Sequence, residues 1–111
     1  MTERTFTIHQ ACTAMGITPV CLHQWIERDY FVPLHNPPPG VRREYTLRDI
    51  VHVAAMVELG LAGLPPVRAA EILGTSPLDT AGRETIVTHR GQTEIRLDLA
   101  AVTERVRTAL L

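Results

Sequence analysis

The sequence contains no lysine, only two cysteines and few aromatic residues, which make up 5% of its 111 residues. Cys12 and Cys21 are too few for a disulfide framework and lack the spacing of a CxxC metal clip, which favours a reducing compartment. No apolar run approaches the roughly 20 residues that span a bilayer. The N-terminus also lacks the basic and apolar regions of a signal peptide. We therefore expect a cytoplasmic protein that does not bind a membrane.

Positive charge is also scarce. The eleven basic residues, all arginine, face twelve acidic residues, which gives a net charge of −1. Binding to nucleic acid would therefore require a local cluster of arginines or a dimer. Arginine suits bidentate phosphate contacts. A GC-rich genome also favours arginine over lysine, and we prefer this compositional explanation. The 45% apolar and 21% charged residues indicate one soluble folded domain with a modest core.

Two short helices are predicted near the N-terminus. In "TIHQACTAMG" Thr7 and Gln10 form a capping-box pattern, and Gly16 is a typical helix end. In "ITPVCLHQWIERD" Thr18 is placed to cap the second helix, and Pro19 occupies its first turn. The gap between the two is only about three residues. This arrangement predicts a helix-turn-helix.

The second helix has an apolar side and a polar side. Leu22, Trp25 and Ile26 share one side and are expected in the core, like Cys12 on the first helix. The side chains that point elsewhere are those of Val20, His23, Gln24 and Glu27.

A small β-hairpin is predicted next, from two short extended runs, "YFVPL" and "VRREY", around the rigid turn "HNPPPG". Such a hairpin is a wing, and it would carry Arg42 and Arg43, with Tyr45 at its base. Proline and glycine in the turn would aim the two arginines outward.

A longer helix follows, capped by Thr46 and Asp49. Its helical stripe of apolar residues consists of Leu47, Ile50, Val51, Ala54, Val57 and Leu61. The next helix, "LPPVRAAEILG", begins with proline, ends at Gly74 and is expected to turn Val67, Ala70 and Leu73 inward.

The C-terminal third begins with a polar, turn-rich linker, residues 75–83. The alternating segment "ETIVTH-RG-QTEIRL" predicts a second hairpin, and Asp98 can cap a last helix. That helix has a narrow apolar seam, which must be buried against its own domain or against a second copy because a 13-residue helix is marginal alone. The seam consists of Leu99, Val102, Val106 and Leu110. We divide the chain into residues 1–74 and residues 75–111.

The order of these parts resembles the N-terminal DNA-binding domain of the MerR family. The resemblance lies in "FTIHQACTAMGITPVCLHQWIERDYFVP", "GVRREYTLRDI" and "ELGLAGLPPVRAAEIL", and it covers residues 6–73. The departures are that His23, Gln24 and Trp25 stand where the family typically has Arg-Tyr-Tyr, and that Glu44 separates Arg43 from Tyr45. A hairpin and one short helix also replace the long dimerisation helix and effector domain of full-length members.

The resemblance implies a mainly α fold with short β-hairpins, namely a winged helix-turn-helix followed by a β-hairpin and a C-terminal helix. It implies a bacterial or phage transcription regulator that binds double-stranded DNA as a homodimer. The second helix would enter the major groove, where glutamine can pair with adenine, and the wing would contact the backbone. The residues expected at DNA are Thr18, Val20, His23, Gln24, Arg42, Arg43, Tyr45 and Arg48. Those expected at the dimer interface are Leu99, Val102, Val106 and Leu110.

Other interpretations of the same residues stay open. One alternative is that the polar face of the second helix and the arginine pair are simply solvated surface. Small proteins of similar fold include excisionase-like architectural factors and modulators that bind a co-chaperone, so a protein partner is an alternative to DNA. No histidine or cysteine has ligand spacing, so we expect no metal and no cofactor. No catalytic motif is recognisable, and we expect no enzymatic activity.

Overall fold

Five α-helices and two small antiparallel sheets make up residues 4–111, the part of the chain that the computed structural model describes. The fold is therefore mainly α with short β elements, as expected. The elements are β1 (Thr5–Phe6), α1 (Ile8–Met15), α2 (Pro19–Glu27), β2 (Tyr45–Thr46), α3 (Leu47–Leu61), α4 (Pro66–Leu73), β3 (Thr85–Arg90), β4 (Thr93–Asp98) and α5 (Leu99–Ala109). A short 3₁₀ turn, Pro77–Asp79, lies between α4 and β3.

The ends of α1 and α2 follow from their capping residues. Thr7 and Gln10 form a reciprocal capping box, and Gly16 ends α1 with a φ of 84°, a left-handed conformation that favours glycine. Two residues later the Thr18 hydroxyl accepts a hydrogen bond from the Cys21 amide at 3.2 Å, which starts α2. The predicted pair of helices with a short turn is confirmed.

The core is built around α3, which contacts α1, α4 and α5. Ile50, Val53, Ala54 and Met56 on α3 are almost completely buried. Two predicted core positions are wrong, because Leu61 at the end of α3 is 78% exposed and Val67 on α4 is 47% exposed. Helix α3 is covered on several sides, so its buried residues are more numerous than one apolar stripe.

The predicted wing hairpin is wrong. Residues 31–44 contain no strand, and β2 pairs with β1 near the N-terminus, with Thr5 opposite Thr46 and Phe6 opposite Tyr45. The segment "YFVPL", predicted as the first wing strand, packs in the core instead. Phe31 is fully buried and stacks on His52, with 5.8 Å between the ring centroids. The Val32 amide donates to the Thr75 carbonyl at 2.9 Å. The arginines are therefore carried by an irregular loop.

The C-terminal hairpin, β3 and β4, is confirmed. Six residues of each strand pair in antiparallel register from Thr85 with Asp98 to Arg90 with Thr93. The two-residue turn has glycine at its first position, where Gly91 has a φ of 61°. That geometry favours glycine and matches the right-handed twist of paired strands.

The seam of α5 is buried in its own chain. Leu99 is 2% exposed, Val102 6% and Val106 0%, while Leu110 is half-buried. Helix α5 packs on α3 and α1. Intramolecular packing therefore removes most of the apolar surface of Leu99, Val102 and Val106 from water, whereas Leu110 keeps part of its surface exposed. Of the two expected arrangements, the seam takes the one that packs on its own domain, and a dimer interface through these four residues stays a prediction.

His52 fastens the segment after α4 to the core. Its Nε2 donates to the Gly74 carbonyl at 3.0 Å, and its Nδ1 lies 3.0 Å from the Thr80 hydroxyl oxygen, whose proton is shared between Nδ1 and the Pro77 carbonyl at 3.2 Å. Burial lowers the pKa of His52 below the ordinary 6.5, and the Gly74 carbonyl and two nearby carboxylates oppose that effect. Gly74 has a φ of 86°, and a side chain there would collide with Asp79.

None of the helices within residues 4–111 combines the length and the apolar character required to cross a membrane. The longest, α3, has 15 residues.

Candidate nucleic-acid interface

Helix α2 presents four of the predicted site residues to solvent. Thr18, Val20, His23 and Gln24 are all exposed, and Val20 is 67% exposed. We call these four residues the α2 face. The opposite side of the helix is fixed in the core, because Leu22 and Trp25 are buried as predicted. The α2 face therefore lies on a helix whose orientation is set by packing.

Apart from Val20, the α2 face consists of hydrogen-bonding side chains, and it contains no arginine and no carboxylate. The amide of Gln24 can both donate and accept, which matches the N6 and N7 edge of adenine in the major groove. The Val20 methyl groups can contact a thymine methyl. The oxygen of the Thr18 hydroxyl already accepts a hydrogen bond from the Cys21 amide, so the main role of this side chain is to cap α2.

Sequence reasoning missed Arg28. It is exposed, and its amide donates to the Gln24 carbonyl at 3.0 Å, so it follows Gln24 by one helical turn. A cation at a helix C-terminus is also favourable for the helix dipole. The i, i+4 spacing from Gln24 was the available signal.

The arginine loop, residues 31–44, carries Arg42 and Arg43 in different environments. Arg42 is exposed. Arg43 is half-buried, and its Nη2 donates to Asn36 Oδ1 at 2.7 Å across the loop. At the end of the loop Glu44 accepts a hydrogen bond from the Thr5 hydroxyl at 2.9 Å. Arg42 is therefore available to a partner, whereas Arg43 shapes the loop.

Asp49 attaches the arginine loop to α3. One carboxylate oxygen accepts from the Leu34 amide at 3.0 Å, and the other accepts from the amide and hydroxyl of Thr46 at 2.8 and 3.1 Å. Asp49 is fully buried. A buried carboxylate with three donors is a stable arrangement, because hydrogen bonds to a charged group are strong.

The prediction that the Tyr45 hydroxyl contacts DNA is wrong. Tyr45 is 1% exposed, and its hydroxyl is buried with no hydrogen-bond partner among residues 4–111. Burial raises the pKa of Tyr45, and the nearby Arg43 guanidinium opposes this. The side chain enters the core because β2 pairs with β1 and its ring then faces inward.

Arg48 lies apart from the other predicted residues. It is exposed in the first turn of α3 and lines a cleft of about 280 Å³ with Arg83 and Arg107. We call this cleft, formed by the start of α3, the linker and α5, the arginine cleft. Sequence reasoning missed Arg83 and Arg107, because their approach to Arg48 requires α5 to fold back on α3.

No group of three or more histidine, cysteine and carboxylate residues within residues 4–111 is arranged to hold a metal ion. Cys12 and Cys21 are free thiols. Burial raises the pKa of both, and the neighbouring Cys21 adds to the effect on Cys12. Both thiols are therefore poor nucleophiles at neutral pH.

The predicted site residues thus fall into three places, which are the α2 face, the arginine loop and the arginine cleft. Comparison with models of known protein families gave no match. A search among curated proteins likewise found no significant similarity.

Proposed function

We propose that the protein is a sequence-specific DNA-binding transcription regulator. The supporting observation is the α2 face: a capped helix, fixed by Leu22 and Trp25, directs hydrogen-bonding side chains away from the core. In this proposal α1 and α2 act as a helix-turn-helix and α2 enters the major groove. Gln24 and His23 contact base edges there.

The arginine loop takes the role that a wing would have. Arg42 contacts a backbone phosphate, and Arg28 adds a second phosphate contact at the end of α2. Two arginines give modest affinity in a chain of net charge −1, so we propose that two copies bind a two-fold site. The proposed role requires no cofactor and no catalytic step.

The test is binding-site selection from a random DNA pool, combined with the solution mass of the protein. We expect one consensus with two-fold symmetry and a complex that contains two copies. The affinity for the selected site should exceed that for random DNA by about a thousandfold or more. A pool that yields no consensus, or an affinity insensitive to salt, would show that the proposal is wrong.

A charge reversal tests the arginine loop. We expect Arg42→Glu to weaken binding to the selected site about tenfold or more and to reduce the salt dependence by about one phosphate contact. The matched control is Arg68→Glu on α4, where Arg68 is exposed and pairs with Glu71 at 2.8 Å. Equal loss in both variants would indicate attraction by overall charge alone.

One observation favours a second candidate, a protein-binding modulator. The exposed positions of α2 itself carry no arginine and include Val20, which is 67% exposed, and the acidic Glu27. A protein partner would contact this surface, which carries no arginine, so partner binding would tolerate Arg42→Glu. Failure of the DNA selection together with a stable protein complex that needs Val20 would support this candidate.

A further inference from the structure

The arginine cleft concentrates positive charge that has no partner in the described chain. Arg48, Arg83 and Arg107 come from three different segments and line one concave space. None of the residues that line the cleft is acidic. Within residues 4–111, ion pairs are formed by Arg68, Arg96 and Arg105 instead.

The three arginines that line the cleft bring like charges to one concave space, and no carboxylate among the lining residues balances them. A guanidinium keeps its charge throughout the physiological pH range, so the repulsion cannot be relieved by loss of a proton. Arg48 is additionally in the first turn of α3, where the helix dipole disfavours a cation. An anion placed among the three groups would offset all of these costs.

Apolar residues also line the cleft. We call them the apolar wall: the half-buried Leu47 and Val51, with the buried Leu99 and Pro77. The cleft volume of about 280 Å³ lies just below the range of typical drug-binding pockets. The occupant must therefore combine a strong negative charge with a small apolar group.

We propose that the arginine cleft binds a small organic phosphomonoester. Its phosphate would contact the three guanidinium groups and its organic group would lie on the apolar wall. A phosphomonoester fits better than a carboxylate because it offers about two negative charges and three acceptor oxygens to three arginines. A DNA phosphate fits less well, because a phosphodiester offers one negative charge and two free oxygens to the three arginines. The proposal does not depend on DNA binding.

Calorimetric titration of the full chain tests the site, with phenyl phosphate, inorganic phosphate and phenol as probes at one ionic strength. We expect phenyl phosphate to bind about tenfold or more tightly than either fragment, because only it fills both halves of the cleft. It should also raise the melting temperature. Absence of phenyl phosphate binding, or equal binding of inorganic phosphate, would overturn the proposal.

Two double variants with the same change in net charge separate the cleft from general attraction. Arg83→Ala with Arg107→Ala should weaken phenyl phosphate binding about tenfold or more. Arg68→Ala with Arg96→Ala, which removes two exposed arginines elsewhere, should leave it nearly unchanged. The proposal would be contradicted if both double variants weakened phenyl phosphate binding equally. It would also be contradicted if Arg83→Ala with Arg107→Ala lowered the affinity for DNA but left phenyl phosphate binding unchanged.

Amide chemical shifts of the unmodified chain provide a readout that does not depend on the folding of any variant. On addition of phenyl phosphate we expect the largest changes at residues 80–83 and at the start of α3. Changes centred on the α2 face or on the β3–β4 hairpin instead would place the anion elsewhere and would overturn the proposal.

Discussion

The α2 face and the arginine cleft use polar groups in opposite ways. The α2 face is exposed on a helix and carries hydrogen-bonding side chains without arginine or carboxylate. The arginine cleft is concave and holds three arginines beside an apolar wall. An open surface of neutral donors and acceptors suits a large partner read by many contacts, whereas a charged concavity suits a small anion. The net charge of −1 conceals this division.

The two sites also depend on different supports. The arginine loop has no strand to hold it and depends on Asp49. The arginine cleft depends on α5, which is packed on α3, and on the segment that His52 holds. Substitutions in α5 should therefore affect the arginine cleft and spare the arginine loop. Loss of Asp49 should loosen the arginine loop and also the start of α3, which carries Arg48.

The largest effect is expected for Asp49→Ala. This change leaves the amides of Leu34 and Thr46 and the Thr46 hydroxyl without their acceptor, so we expect the free energy of unfolding to fall by about 3 kcal/mol. The matched control is Asp98→Ala, which removes an exposed cap from the Ala101 amide and should cost about 1 kcal/mol. Urea unfolding measures both. A similar cost at the two positions would show that the loop does not depend on Asp49.

A smaller loss is expected for Val106→Ala on α5. Val106 is fully buried, and its truncation should cost about 2 kcal/mol through lost burial and a cavity. Val67→Ala, at a helical position that is 47% exposed, should change the free energy of unfolding by less than about 0.5 kcal/mol. If the seam instead joined two copies, Val106→Ala would also shift the solution mass of the protein towards that of the monomer.

A smaller effect is expected for Gln24→Ala, which changes the α2 face alone. On the selected DNA site we expect a loss of about 1–2 kcal/mol, confined to one base pair of the consensus. Gln92→Ala, the same change at the exposed hairpin turn, should leave the consensus and the affinity unchanged. A uniform loss across all sequences would mean that Gln24 contacts the backbone rather than a base.

Local signals in the sequence were sufficient for the helices and for one hairpin. Thr7, Thr18, Thr46 and Asp98 each cap the helix that was predicted from them. Their hydrogen bonds reach only three residues along the chain, so the sequence pattern contains both partners. The β3–β4 hairpin is similarly local, since its turn joins strands that are adjacent in sequence.

Contacts between distant segments were not visible in the same way. The short strand at Tyr45 pairs with Phe6, and nothing in the local pattern "VRREY" distinguishes that partner from "YFVPL". Phe31 was assigned to a strand because aromatic residues favour strands, but its ring packs on His52. The arginine cleft was missed for the same reason, because its residues meet only after α5 packs on α3.

The smallest expected effect concerns His52 and the support of the arginine cleft. Its pKa is lowered by burial, so the unfolded chain binds the proton at a higher pH than the folded protein does. The stabilisation from neutral His52 is therefore complete above the ordinary pKa of 6.5 and is lost as the pH falls towards the lower folded value.

The variant His52→Gln can still donate to Gly74 and accept from Thr80 but does not titrate. Urea unfolding between about pH 8 and about pH 5 should thus show the stability advantage of the unmodified protein shrinking with acid. If the stability difference between the unmodified protein and His52→Gln stays constant over that range, the folded protein accepts the proton at His52 without cost. Acid would then leave Thr80, which lines the arginine cleft, in place.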